Sequence, residues 1–191
     1  MKTIAWSEAT WTRKPAAIYE ENGSLKVESI EASDWWRKTS YDFIHDDGHA
    51  LLIDFPDQSA MEVSFILDFR EQFDQAGIFI RADEANWIKG GVEFCDGYPQ
   101  VGAVVTADTS DWSASRIEKW MGKEVTVRAS RSAGAVTIRA GINGDLQLVR
   151  LAPLSANFKW KAGPMTCAPS RAGLVTTFTS WSLGDCDEAL H

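Results

Sequence analysis

Six residues between Gln75 and Gln100 have the types that recognise a polyhydroxylated ligand: Gln75, Arg81, Trp87, Lys89, Glu93 and Gln100. Amides and a carboxylate hold neighbouring hydroxyls through two contacts each, cations add donors, and an indole plate packs on the apolar face of a sugar ring. The same set would suit a peptide. Trp87, Lys89 and Glu93 are spaced two apart or four apart, so an extended chain places them on one face. A second set, Ser110-Asp111-Trp112-Ser113, offers two hydroxyls, a carboxylate and another indole. It reads as a ligand loop at a sheet rim or as an ordinary Asx or Ser/Thr turn. Asp111 and Trp112 join the candidate binding residues on that basis.

Catalysis on sugars asks for more. Two carboxyls must stand about 5–5.5 Å apart for a retaining mechanism, or about 6.5–9.5 Å apart for an inverting one. The polar face supplies Glu93 alone, and Asp111 could join it only from a loop. No G-x-S-x-G, G-x-x-x-x-G-K-[ST] or H-E-x-x-H motif occurs. Asp46, Asp47 and His49 could touch a metal, but their spacing matches no calcium loop. His49 has the parity of Leu51, Ile53 and Phe55 and reads as a buried or capping histidine. Nothing favours a pairing of Cys95 with His45 or His49. No metal, no cofactor and no catalytic residue are expected.

The elements that must position these residues are strands. Asn22-Gly23, Asp47-Gly48, Asp96-Gly97 and Asn143-Gly144 supply the positive φ of tight hairpins. Between them the pattern predicts strands near 17–20, 24–30, 49–55, 61–69, 75–82, 86–95, 98–106, 124–131, 135–142, 146–151 and 171–182. That spacing means an all-β sandwich or barrel. The competing reading is an α+β domain with a helix near 112–122. Pro15-Ala16 and Gly163-Pro164 mark loops.

One stretch can be registered by hand. A two-residue turn at Asp96-Gly97 sets Cys95 opposite Tyr98, Glu93 opposite Gln100, Gly91 opposite Gly102 and Trp87 opposite Thr106. The other face, with Ile88, Val92 and Phe94, is apolar and belongs to the core. A five-residue loop at 82–86 then places Gly77 beside Gly91, Gln75 beside Glu93, Phe79 beside Lys89 and Arg81 beside Trp87. Three glycines line up across three strands, as the floor of a ligand groove or as relief of crowding in a curved sheet.

Composition bounds the function. The chain has 191 residues, taken as one domain, with a net charge of −8. That charge disfavours nucleic-acid or anionic-membrane surfaces. No apolar run is long enough for a membrane span. The opening MKTIAWSEATW has no apolar leader segment, and Cys95, Cys167 and Cys186 lack metal spacing. Together they predict a cytoplasmic chain with free thiols, Cys167 and Cys186 lying in C-terminal loops.

Several motifs in order are similar to a known family. They are Asp34-Trp35-Trp36-Arg37-Lys38-Thr39 with Tyr41 and Phe43, Asp47-Gly48-His49, Phe73-Asp74-Gln75-Ala76-Gly77, Asn86 to Phe94 with Asp96-Gly97, Val104-Val105-Thr106, and Cys167 to Gly173. They resemble the domain-of-unknown-function family that includes the yeast "regulation of enolase" protein, from about residue 6 to residue 182. Phe79, Ile80 and Ala103 depart from its usual residues. The resemblance implies a two-sheet antiparallel jelly roll of the concanavalin A-like lectin/glucanase type, whose lectin and glucanase members use the concave sheet for sugars. It brings no established catalytic residues, and the glucanase pattern Glu-x-Asp-x-Glu is absent. The expected function is a lectin-like module holding a carbohydrate or related polar ligand on the concave face. The alternatives are a regulator binding a metabolic enzyme such as enolase, and a glycoside-active enzyme using Glu93.

Overall fold

The computed structural model describes residues 1–190 and is almost wholly β. Its strands are β1 (Lys2–Thr3), β2 (Thr10–Trp11), β3 (Ala17–Glu21), β4 (Ser24–Glu28), β5 (Trp35–Arg37), β6 (Ile44–Asp46), β7 (His49–Asp54), β8 (Ser59–Ile66), β9 (Gln75–Arg81), β10 (Asn86–Cys95), β11 (Tyr98–Ala107), β12 (Thr109–Arg116), β13 (Glu124–Ser132), β14 (Ala135–Ile142), β15 (Asp145–Pro153), β16 (Lys161–Cys167) and β17 (Val175–Asp185). The back sheet runs β15-β14-β13-β8-β17-β4-β3, with β1 paired to β17, and the front sheet runs β12-β11-β10-β9-β16-β7-β2. Among the described residues, helix is limited to the 3-10 turns Trp6–Glu8 and Glu118–Trp120. No helix among them is long and apolar enough to cross a membrane.

The two sheets meet through alternate residues. Met61, Val63 and Phe65 of β8 and Val125, Val127 and Ala129 of β13 pack against Ala76, Ile78, Ile80, Ile88 and Val92 of the front sheet, all buried. Burying each larger side chain is worth about 1.5–3 kcal/mol. A one-residue slip would forfeit a whole face of such contacts, so the register is fixed. The hand-built register holds at every pair: Cys95 with Tyr98, Glu93 with Gln100, Gly91 with Gly102 and Trp87 with Thr106, then Gly77 with Gly91, Gln75 with Glu93 and Arg81 with Trp87. Asp96 and Gly97 turn at φ 55° and 83°, as the two-residue hairpin requires.

The structure departs from the sequence reading in several places. Residues 109–116 form edge strand β12, paired with β11 along its whole length, where a loop or the first part of a helix near 112–122 was expected; of that helix only the 3-10 turn Glu118–Trp120 forms. Gly163-Pro164 lies inside β16, in the middle of the front sheet. There β16 keeps an unbroken register with β9, while its ladder to β7 is interrupted at these two residues, where proline lacks its N–H, and resumes in the same register at Met165. Cys167 accordingly ends a strand and is fully buried, and all three thiols are free. Residues 35–37 and 44–46, with no predicted strand, pair as a small hairpin. Finally, Asp47-Gly48 is no positive-φ turn. A Cβ on Gly48 would lie 2.5 Å from the Trp35 ring and 2.7 Å from Cys167 Sγ, so this glycine serves close packing.

That packing matters for the front sheet's outer face. Trp35 lies flat on Phe79, with ring centroids 3.9 Å apart and planes 18° apart. Trp35, Phe79, Trp87, Ala50, Leu52, Val104, Met165 and Cys167 form a second, smaller core on that outer face. The glycine row has its own cause. A Cβ on Gly77, Gly91 or Gly102 would sit 2.1–2.2 Å from a carbonyl oxygen of the neighbouring strand. Crowding between strands excludes any side chain there, and a trough is left.

Trp35→Ala should destabilise the chain by about 3–5 kcal/mol in urea unfolding, the cost of deleting a large buried aromatic. Trp36→Ala, one residue on and only half-buried against that core, should cost about 1–2 kcal/mol. Equal costs would contradict the role of Trp35 as the packed member of the pair.

Candidate functional site

The β5–β6 hairpin lies across the front sheet and divides its outer face. Its seating is polar as well as aromatic. Asp34 Oδ1 accepts Lys89 Nζ at 2.7 Å, the Trp35 N–H at 2.8 Å and Gln75 Nε2 at 3.4 Å, while Lys89 also donates to Gln75 Oε1 at 2.9 Å. The Arg37 N–H donates to Ser110 Oγ and Arg37 Nε to the Asp108 carbonyl, both at 3.0 Å. Arg81 forms a bidentate pair with Asp46 on β6, one contact measuring 2.8 Å. Asp47 pairs with Arg13. Buried His49 is a structural histidine: Nε2 accepts the Ile30 N–H at 3.1 Å and Nδ1 donates to the Arg13 carbonyl at 3.0 Å. Burial pulls its pKa down, which suits that neutral tautomer.

The half that the hairpin leaves open is a cleft of about 420 Å³. Trp36, Tyr41, Phe43 and His45 of the hairpin form one wall, Phe73 and Pro169 one end, and Trp112 of β12 the far side. Asp34, Lys89, Glu93 and Cys95 line it as well, together with exposed Asp96 of the β10–β11 turn. The adjoining trough over the glycine row is lined by Gln75, Gly91, Gln100, Gly102 and Ala114. Trp36 meets Tyr41 at 69° and Tyr41 stacks on Phe43 at 18°, with centroids 5.8 and 5.3 Å apart. Phe73 holds φ 67°, unusual for a bulky residue. Its segment is tied down by buried Asp74, which accepts two bonds from Arg171 and the backbone N–H groups of Arg70 and Glu71.

The sequence-predicted residues divide accordingly. Glu93, Gln100 and Trp112 border the open cleft and its trough, and Trp112 is 45% exposed. Trp87 is 0% exposed; it lies in the second core, and its expected part as an accessible stacking plate is corrected. Lys89 and Gln75 are buried and bonded to Asp34 and to each other, though both reach the wall of the trough. Arg81 is spent on Asp46. Asp111 faces the opposite side of β12 from Trp112, opposite Val105, and pairs with Arg150 of β15 at 2.7 Å. It cannot approach Glu93 from that side.

Sequence reasoning assigned no site role to Trp36, Tyr41, Phe43, His45, Phe73 or Asp96. The adjacent pair Trp35-Trp36 held the usable signal: in a strand, one of two neighbours must face away.

Burial drives the chemistry of Glu93. It pushes the carboxyl up to about 7; Lys89 opposes this and the Asp34 and Asp96 carboxylates reinforce it. Burial also acts to lower Lys89, but Asp34, then Cys167 and Glu93, outweigh it and the ammonium is held charged. Burial, then Glu93 and Asp96, push the Cys95 thiol up to about 11, so it is no ready nucleophile. Folded Glu93 binds its proton more tightly than in the unfolded chain. Stability is therefore lost as pH rises from 4.5 to about 7. Glu93→Gln should stabilise the protein by about 1–3 kcal/mol at pH 8 and change it by less than about 0.5 kcal/mol at pH 4.5. Urea unfolding of both proteins at the two pH values checks this; a gain independent of pH would refute it.

Comparison with known proteins places this geometry. The chain is 34% identical to Regulation of enolase protein 1 of Saccharomyces cerevisiae over all of its length and 96% of the yeast protein's. A crystal structure of a functionally unknown protein from Saccharomyces cerevisiae superposes with a TM-score of 0.89 at 33% identity, covering 95% of this chain and 98% of that one. Xylan beta-1,4-xylosidase from Bacillus halodurans superposes with a TM-score of 0.71 at 11% identity, over 97% of this chain and 39% of the xylosidase. The glycoside hydrolase family 43 protein BlXynB from Bacillus licheniformis gives 0.70 at 13% identity, over 94% and 38%. Those two likenesses show the fold alone, a β-sandwich of the concanavalin A-like kind. Residues 11–186 match the family described as "Protein of unknown function (DUF1349)", and the chain belongs to that family.

Proposed function

We propose that the cleft between the β5–β6 hairpin and β12 binds a carbohydrate or related polar ligand in the manner of a lectin. The observation that carries the reading is an opening of a size usual for small-ligand sites, in which exposed aromatic side chains accompany a carboxyl, with the Gln100 amide in the adjoining trough. Trp112 takes the stacking role, and Glu93 and Gln100 take the polar contacts. A glycoside-active enzyme would use the same Glu93, a carboxyl kept protonated near neutrality, as its acid. Its second carboxylate would have to be Asp34, which is already tied to Lys89, or Asp96 at the exposed β10–β11 turn, which is bonded to Gln72, so binding without turnover is the favoured reading.

A second reading rests on the hairpin tip. Tyr41, Phe43 and Ile44 are 61%, 43% and 51% exposed, an apolar group of the kind that docks proteins. The yeast relative is named for regulation of enolase, and a metabolic enzyme such as enolase is the partner this reading supplies.

A glycan array followed by isothermal titration tests the first reading. Trp112→Ala should weaken sugar binding several-fold to about tenfold, the scale of a lost stacking plate, and leave the melting temperature unchanged. Mass spectrometry of the sugars should find no cleavage. A wild type that binds no glycan, or a variant that binds equally well, would overturn it. Binding to purified enolase that is lost in a Tyr41→Ser, Phe43→Ser variant would install the second reading instead.

A further inference from the structure

The charges around the cleft are unbalanced. Lys89 is its one lysine and no arginine lines it. That ammonium is already bonded to Asp34 and Gln75, so it has little left for a ligand. Arg81 is committed to Asp46. Arg116, nearby on β12, lies over the Tyr98 ring at 3.9 Å. The carboxyls differ. Among the described residues neither Glu93 nor Asp96 is in an ion pair, and Asp96 accepts a hydrogen bond from Gln72 Nε2 at 3.4 Å. Aromatic side chains line the same opening, with Trp36 and Tyr41 meeting edge to face and Phe43, Phe73 and Trp112 beside them. Aromatic faces carry negative charge density and attract cations, best when water is excluded.

We infer that the cleft selects a ligand bearing a positively charged nitrogen, a protonated or quaternary amine, held by the aromatic walls with Glu93 and Asp96 as counter-charges. This rests on the cleft being a ligand site and adds the ligand's charge class. Two sources share that chemistry, an amino sugar and an alkylammonium head. A phosphorylated or uronic ligand is disfavoured, because it would bring negative charge to unpaired carboxyls.

The inference has a pH signature. The charged groups facing Glu93 are Lys89 on its own strand, Asp34 before β5, Asp96 at the turn and His45 on β6. Glu93 is protonated below about 7, and a cation binds better to the ionised form. Affinity for a permanently charged ligand should therefore rise as pH increases through about 7 and then level off.

The test is calorimetric titration of the whole chain with choline, chitosan oligosaccharides and their N-acetylated chitin counterparts, over the range from acid to mildly alkaline pH. Choline keeps its charge throughout, so its profile reports the protein. Chitosan oligosaccharides should bind about tenfold or more tightly than chitin ones. Choline binding should follow the rise described, and Glu93→Gln should flatten the profile and weaken choline about tenfold at alkaline pH; Asp96→Asn, which keeps the turn, should weaken it independently. Choline binding points to an alkylammonium source, chitosan binding without it to an amino sugar. Equal binding of chitin and chitosan oligosaccharides would overturn the charge selection and leave the lectin-like reading intact. Silence of all three probes would overturn the inference too, and only a silent neutral-glycan array as well would remove the cleft as a site.

Discussion

The seating of Trp35 against Phe79 is the contact on which the functional surface depends. It converts half of an open sheet face into a second core and leaves the other half as a cleft with a wall. An indole buries about 150–250 Å², worth about 4–6 kcal/mol at 25 cal/mol per Å². The Trp35 and Trp87 indole N–H groups have no hydrogen-bond partner, at a cost of about 1–3 kcal/mol each. For each ring burial outweighs the orphaned N–H, so the plug holds despite its unsatisfied donors. Gly48 is the matching constraint, since any side chain there would occupy the space of the Trp35 ring.

The polar groups around the plug follow from the same closure. Once Lys89 is covered, its charge has to be met inside, and Asp34 and Gln75 meet it. That leaves no free cation at the base of the cleft. Glu93, at the edge of the covered region, is desolvated without being paired. The site's acidity and its aromatic wall are thus two consequences of one hairpin crossing the sheet, and the closed half is the support for the open one.

The fold was legible in the sequence where alternation was long and turns were marked. β9, β10 and β11 could be paired residue by residue because each has a clean core face and Asp96-Gly97 sets the phase. The face assigned to Trp87, Lys89 and Glu93 was right for the same reason. What covers that face was not legible. β5 and β6 have three residues each, too few to show a period, and they come from a distant part of the chain. β12 is an edge strand with serines on its exposed positions, so it reads as a turn. Pro164 hid β16, because nothing local tells that the strand tolerates a gap in its ladder to β7 while staying paired with β9. Trp112 entered the candidate list as a loop residue and belongs to the site as a strand residue. Asp111, chosen with it, falls on the other face by the same alternation.

The central claim is that one half of the front sheet's outer face is sealed and the other open. Hydroxyl-radical footprinting with residue-level mass spectrometry measures this directly across the nine tryptophans. Trp112 should be oxidised at the rate of an accessible indole and half-buried Trp36 at an intermediate one, while Trp35 and Trp87 should be as protected as Trp181 in the main core. Oxidation of Trp87 at a rate close to that of Trp112 would mean that the hairpin does not seal the sheet, and would contradict the account.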